Sequence, residues 1–141
     1  MTPKERAEKS AGAMWASDNA SKWAGMEITA IDEGTATLEL TIAPHHCNGH
    51  GICHGGVTFM LADSAFAFAC NSRNQSTVAQ SNSITFTAPG KLGERLIARA
   101  TEVSLTGRSG IYDVTVENQT GQMIAAFRGL SRAIKGQLFD E

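Results

Sequence analysis

No run of eighteen apolar residues occurs anywhere in this chain of 141, and the charged opening MTPKERAEKSAGAMW has no apolar core of the kind a signal peptide needs. Neither membrane spanning nor export is expected, and a cytoplasmic protein is the plain reading. An excess of one charge is missing too. Twelve basic and 14 acidic residues leave a formal net charge of −2 with no like-charged run, so nothing marks a surface for nucleic acid or for a membrane. Cysteine is scarce: three thiols, an odd number, in a chain with no export signal point to reduced side chains rather than a disulfide framework. There is no G-x-S-x-G elbow for a serine nucleophile, no internal repeat, no low-complexity linker and no break in composition. A single domain over residues 1–141, built on one core, is what this length supports.

Periodicity supplies the elements. Residues Thr2 to about Ala16 place Ala, Met and Trp at helical spacing behind an early proline, which predicts a short N-terminal helix. From Met26 to Ala43 apolar and polar residues alternate on both sides of Asp32-Glu33-Gly34, the pattern of a hairpin. Four more alternating segments follow Thr77: VAQSNSITFTA, RLIARATEVS, GIYDVTVEN and MIAAFRGLSRAI. They are separated at Pro89-Gly90, at Thr106 to Gly110 and at Asn118 to Gly121, and read as four strands in a meander. Between the two strand groups lies GGVTFMLADSAFAFAC, Gly55 to Cys70. Eleven of its sixteen residues are apolar and fall on every face, predicting a helix buried all round. An α+β fold follows, with an antiparallel sheet of about five to six strands wrapped around this central helix.

The only charge on that helix is Asp63. Its neighbours one turn away are Phe59, Met60, Phe66 and Ala67, none of which can pair with it. A carboxylate in apolar surroundings costs several kcal/mol unless partners are supplied, and desolvation drives its pKa upward. Asp63 is therefore either a structural acid at the edge of the core or a general base or nucleophile in a dry site.

The stretch HHCNGHGICHGG, His45 to Gly56, invites a metal reading. His50 and His54 are four apart, but a closed zinc site needs a second pair, and the spacing of Cys47 and Cys53 is not that of a knuckle. A Cys53 nucleophile paired with His54 is disfavoured because adjacent residues in extended chain point to opposite sides. The glycines say more. Gly49, Gly51, Gly55 and Gly56 lead directly into the buried helix, whose first amides are free to donate to a developing negative charge. Gly55 and Asp63 are eight residues apart, roughly 12 Å along one helix, so they cannot meet at one reacting carbon. If they act together, Asp63 comes from a second chain whose helix runs antiparallel beside the first in a two-fold dimer.

The segment NGHGICHGGVTFMLADSAFAFACNS, followed by ITFTAPGKLGERL and GRSGIYDVTVENQTGQMIAAFRG, closely resembles the phenylacetic-acid-degradation (PaaI-type) thioesterases of the hotdog-fold superfamily. The resemblance runs nearly the whole chain, and its specific part is Asn48, then His54-Gly55-Gly56, then Leu61-Ala62-Asp63. It implies a hotdog fold, a homodimer often paired into a tetramer, and hydrolysis of acyl-coenzyme A thioesters, with aryl-acetyl groups such as phenylacetyl or hydroxyphenylacetyl favoured. It also implies roles: Asp63 as nucleophile or general base, the Gly55 amide polarising the thioester carbonyl, Asn48 orienting the carbonyl or the carboxylate, and His54, at the motif's histidine, holding the loop in preference to exchanging protons. A Ser or Thr on the following strand places water in related enzymes, which makes Ser81 and Ser83 candidates. Lys91 and Arg108 are loop cations that could meet coenzyme A phosphates. No metal and no bound cofactor are implied, coenzyme A being part of the substrate. Two alternatives remain: a non-catalytic acyl-coenzyme A binding or sensing module on the same fold, and a hotdog dehydratase, whose histidine and acid pairing is not evident.

Overall fold

The computed structural model describes residues 1–141. Its elements are α1 (Pro3–Ser17), α2 (Asn19–Ala24), β1 (Glu27–Asp32), β2 (Thr35–Thr41), a 3-10 turn (Pro44–His46), α3 (Gly55–Cys70), β3 (Thr77–Phe86), β4 (Arg95–Thr106), β5 (Ser109–Glu117) and β6 (Met123–Ala133). The expected hotdog architecture is present: one antiparallel six-stranded sheet packed around α3. No helix is long and apolar enough to cross a membrane.

Local chemistry starts and stops these elements. Thr2 caps α1 by accepting the Glu5 amide at 3.1 Å, with Pro3 in the first turn. Asp18 then caps a second helix, α2, accepting the Ser21 amide at 3.0 Å and its hydroxyl at 2.7 Å. The apolar pattern of so short a helix is too brief to reveal it, although Ser17-Asp18-Asn19 is cap chemistry in plain view. Gly25, left-handed at φ 81°, ends α2.

The strand order is β1-β2-β4-β5-β6-β3, which corrects the four-strand meander. Only β4, β5 and β6 run as a meander; β3 pairs with β6 at the far edge. The reason is α3. The helix lies across the sheet, so the chain leaves it on the side opposite β2 and adds β3 there. The link through Pro89-Gly90 is accordingly a crossing rather than a hairpin turn. It returns the chain to β2, bonding Gly90 O to the Cys53 amide at 2.8 Å and Glu94 O to the Ile42 amide at 2.9 Å.

Phe66 seats α3 on the sheet. Its ring lies on the backbone of Gly129 in β6, so closely that a Cβ at that glycine would fall 2.7 Å from ring carbons. The same ring packs against Tyr112 and Phe127, with centroids 5.7 and 5.9 Å away. Beyond the helix end, Arg73 grips Glu102 of β4 through both guanidinium nitrogens at 2.6 and 3.1 Å, and Tyr112 of β5 donates to the same carboxylate at 2.8 Å. The hydrogen bond from Arg73 holds Glu102 below the usual carboxylate range. The helix is not buried all round, however. Gly56 is exposed, and Phe59, Met60, Asp63 and Ala67 are only partly covered, forming a stripe beside β3.

Gly129→Ala forces Phe66 out of its seat, and a loss of about 1–3 kcal/mol in urea unfolding is expected. Tyr112→Phe removes one hydrogen bond to a charged acceptor and is expected to cost about 1.5 kcal/mol in the same measurement. A wild-type midpoint for either variant contradicts this packing account.

Candidate active site

The four histidines of the opening stretch go four separate ways. His46 is buried: its Nδ1 accepts the Ala43 amide at 2.9 Å, which leaves Nε2 to donate to the Ala24 carbonyl at 2.8 Å. Burial holds its pKa below the ordinary histidine value. His45 and His50 are exposed. His54 is the N-cap of α3, its Nδ1 accepting the Gly56 amide at 2.8 Å while its carbonyl takes the Val57 amide at 2.9 Å. That acceptor role requires an unprotonated Nδ1, and it makes His54 the fastener of loop to helix.

With Gly56 and Val57 committed to His54, the Gly55 amide has no acceptor within the chain. It opens into a cavity of about 480 Å³ whose walls include Asn48, Ile52, Cys53, Thr58, Phe86 and Ile124. The aromatic ring of Phe86 lies closely over Gly55, 3.0 Å from where a Cβ would sit. Asn48 is set by its own loop: its Oδ1 accepts the His50 amide at 3.0 Å and its carbonyl accepts the Gly51 amide at 3.0 Å. The carboxamide nitrogen is left without an intramolecular acceptor. A donor pair, one amide at a helix N-terminus and one carboxamide, thus faces a cavity with largely apolar walls.

Asp63 does not line that cavity; it sits two turns further along α3 on the partly open stripe. Its one side-chain partner is Asn82 of β3, which donates from Nδ2 to Asp63 Oδ1 at 3.0 Å. Desolvation raises the Asp63 pKa above the ordinary carboxylate value, and the Asn82 hydrogen bond offsets part of that rise. The other atom of the carboxamide, Asn82 Oδ1, is buried with no partner. No second carboxylate, histidine or cation contacts Asp63.

Asn82 was not among the residues the sequence pointed to, and the reason is local. The register of β3 against β6 shifts between Ala79 and Ser81. That bulge turns the alternation over, so Asn82 and Ile84 face the helix while Ser81 and Ser83 are exposed. Neither serine reaches Asp63 within the chain. The cations are also separated. Lys91 is exposed in the crossing loop, bridged to Ile52 beside the cavity. Arg108 lies at the other end of β4, against Gln75, Ala133 and Ile134. One chain therefore brings together Gly55, Asn48 and His54, with Lys91 nearby, and holds Asp63 and Arg108 apart from them.

Against known proteins, residues 50–125 match the family model described as the thioesterase superfamily. The chain is 40% identical over 136 residues to acyl-coenzyme A thioesterase PaaI of Escherichia coli, covering 96% of this chain and 97% of that protein. It is 32% identical to human acyl-coenzyme A thioesterase 13, over 72% of this chain and 74% of that one. The solved structure of the E. coli PaaI protein from the phenylacetic acid degradation operon superposes with a TM-score of 0.95 at 39% identity, covering 96% of this chain and 99% of that one. By sequence and by fold, this chain belongs to the thioesterase superfamily, as a hotdog enzyme of the PaaI type.

Proposed function

We propose that this thioesterase hydrolyses aryl-acetyl-coenzyme A, such as phenylacetyl- or hydroxyphenylacetyl-coenzyme A, to the free acid and coenzyme A. The observation that carries the reading is the pairing of an unengaged Gly55 amide on an apolar cavity with one desolvated carboxylate on the same helix. A thioester is already activated, so one carboxylate and one or two oxyanion donors suffice. The carbonyl oxygen docks at the Gly55 amide, with Asn48 orienting it, while His54 keeps the helix terminus in place. Asp63, or a water it deprotonates, adds to the carbonyl carbon. The electron pair moves onto oxygen, where the amide and the helix dipole stabilise it. Collapse then expels coenzyme A as thiolate, leaving the free acid where water has added, or a mixed anhydride on Asp63 that a water hydrolyses to the acid and the free carboxylate. Phe86, Ile52 and Ile124 give the aryl group an apolar wall. The names of the E. coli relative and its structure, an acyl-coenzyme A thioesterase of a phenylacetic acid degradation operon, support this substrate class.

The site is shared between two chains in this reading. Asp63 lies roughly 12 Å from Gly55 along α3, too far for one chain to present both to one carbon. The outer edge of β3 has no strand partner, and the half-open stripe of α3 runs beside it. A two-fold dimer that joins the sheets at β3 sets the two α3 helices antiparallel, bringing the partner's carboxylate to each Gly55. It also brings the partner's far sheet end toward the cavity mouth, so Lys91 and Arg108 reach coenzyme A phosphates from two subunits. Two dimers pair into a tetramer, and the enzyme works in the cytoplasm without metal or cofactor.

Asp63→Asn is expected to lower turnover on a panel of acyl-coenzyme A thioesters by on the order of 1,000-fold, read as thiol release. Retained turnover in the folded variant sinks the assignment; thioester binding without hydrolysis by the wild type would favour the sensing module. Because the folded-state pKa of Asp63 is raised, its ionised form destabilises the protein at neutral pH, and the penalty disappears below the unfolded carboxylate pKa. Asp63→Asn should therefore melt higher than wild type at pH 7, with the gap closing in acid. Asn82→Ala removes the bond that favours the charged form, so the acid limb of the pH profile of kcat/KM should move to higher pH. An unmoved limb contradicts that coupling.

A further inference from the structure

Cys47 and Cys53 stand directly opposite each other in a short antiparallel bridge. Two backbone bonds flank them, Asn48 N–H to the Ile52 carbonyl at 2.9 Å and His54 N–H to the His46 carbonyl at 2.8 Å, and the cysteines exchange none between themselves. They are thus a non-hydrogen-bonded pair, whose Cα atoms come within about 4.5 Å and whose side chains rise from the same face of the ribbon. Both side chains do pack against the core. A disulfide spans Cα separations of about 4.4–6.8 Å and Cβ separations of about 3.5–4.5 Å, so this pair is within roughly 1 Å of bridging geometry. Both thiols are free.

We propose that Cys47 and Cys53 form a reversible cross-strand disulfide that shuts the active site, an inference that rests on the thioesterase reading above. The two sulfurs sit where a small movement reaches the chemistry. Cys47 precedes Asn48, Cys53 precedes the cap His54 and the amide of Gly55, and Cys53 Sγ accepts from the Thr58 hydroxyl of α3 at 3.7 Å. Cys53 also lines the cavity itself. Twisting the ribbon to bring the two Cβ atoms together and bridge the sulfurs pulls Cys53 off Thr58 and shifts Asn48 and Gly55 relative to each other.

The oxidant is a low-molecular-weight disulfide, with glutathione disulfide as the probe. Cys47, the more exposed thiol, attacks as thiolate and releases one glutathione. Cys53, 6% exposed, then attacks the Cys47 sulfur of the mixed disulfide and releases the second. Two thiols give up two electrons and two protons, which appear on two glutathione molecules. Burial pushes the Cys53 thiol up and makes this second step slow at neutral pH. A bridge that forces the ribbon to twist is strained, which places it among the readily reduced disulfides rather than the permanent ones.

The test uses the full-length protein treated with glutathione disulfide, alkylated, and cleaved at methionine. The fragment between Met26 and Met60 contains Cys47 and Cys53 but not Cys70. The expected fragment is unalkylated and lighter by two hydrogens. Phenylacetyl-coenzyme A turnover falls on the order of tenfold or more, as a misplacement of about 1 Å allows, and dithiothreitol reverses both changes. Cys47→Ser keeps the turnover of the reduced protein and loses the response. A fragment that takes up two alkyl groups after oxidation overturns the proposal, as does a bridge that leaves turnover unchanged or an equal inhibition of Cys47→Ser. Absence of phenylacetyl-coenzyme A turnover in the reduced wild type overturns the aryl-acetyl substrate reading, and absence across the thioester panel overturns the hydrolase reading and the switch with it, while the fragment mass still reports the bridge.

Discussion

The ring of Phe66 resting on the bare backbone of Gly129 is the contact from which the rest of the molecule is positioned. It sets how closely α3 approaches the sheet, and through Tyr112 and Phe127 it ties that approach to two strands at once. Asn82 pairs across the sheet with Gly129, so the seat of the ring and the partner of Asp63 share one rung of the β3–β6 ladder. Interiors packed to this density transmit displacement rather than absorb it. The placement of the carboxylate is thereby fixed by apolar packing one helical turn away.

Electrostatics then runs against stability at one point. The core around α3 is apolar, and the chain nonetheless places an acid on that helix with a single neutral hydrogen-bond donor to satisfy it. By contrast, Glu102 near the other end of the helix receives a bidentate arginine and a tyrosine. The two carboxylates show the difference between an acid used to fasten the fold and one kept underpartnered. Perturbed groups of the second kind gather at reactive sites, because a base needs a pKa raised toward its working pH.

Much of this was legible in the residues. Alternation located all six strands, and the apolar density of Gly55 to Cys70 marked the central helix to the residue. The lone charge of Asp63 and the glycines before the helix drew attention to both ends of the proposed chemistry. Three things were not legible. The place of β3 depends on where α3 crosses the sheet, which is a property of packing. The bulge near Gln80 has no sequence mark, yet it exchanges Ser81 and Ser83 for Asn82 as the residues facing the helix. The half-open stripe of α3 looks buried by composition because its residues are those of a core, yet no element of the chain fully covers it.

That stripe makes the account a claim about two chains. Gly55 and Asn48 face one cavity, Asp63 faces another surface, and in the proposed dimer a second copy unites them. Complementation measures this directly: Asp63→Asn and Asn48→Asp, each expected to lose turnover when assayed alone, are mixed, exchanged to statistical equilibrium, and assayed for thioester hydrolysis. Half of the dimers then carry both variants and each rebuilds one intact site of two, so about one quarter of wild-type turnover per chain is predicted. No recovery in fully exchanged dimers would contradict a site shared between subunits.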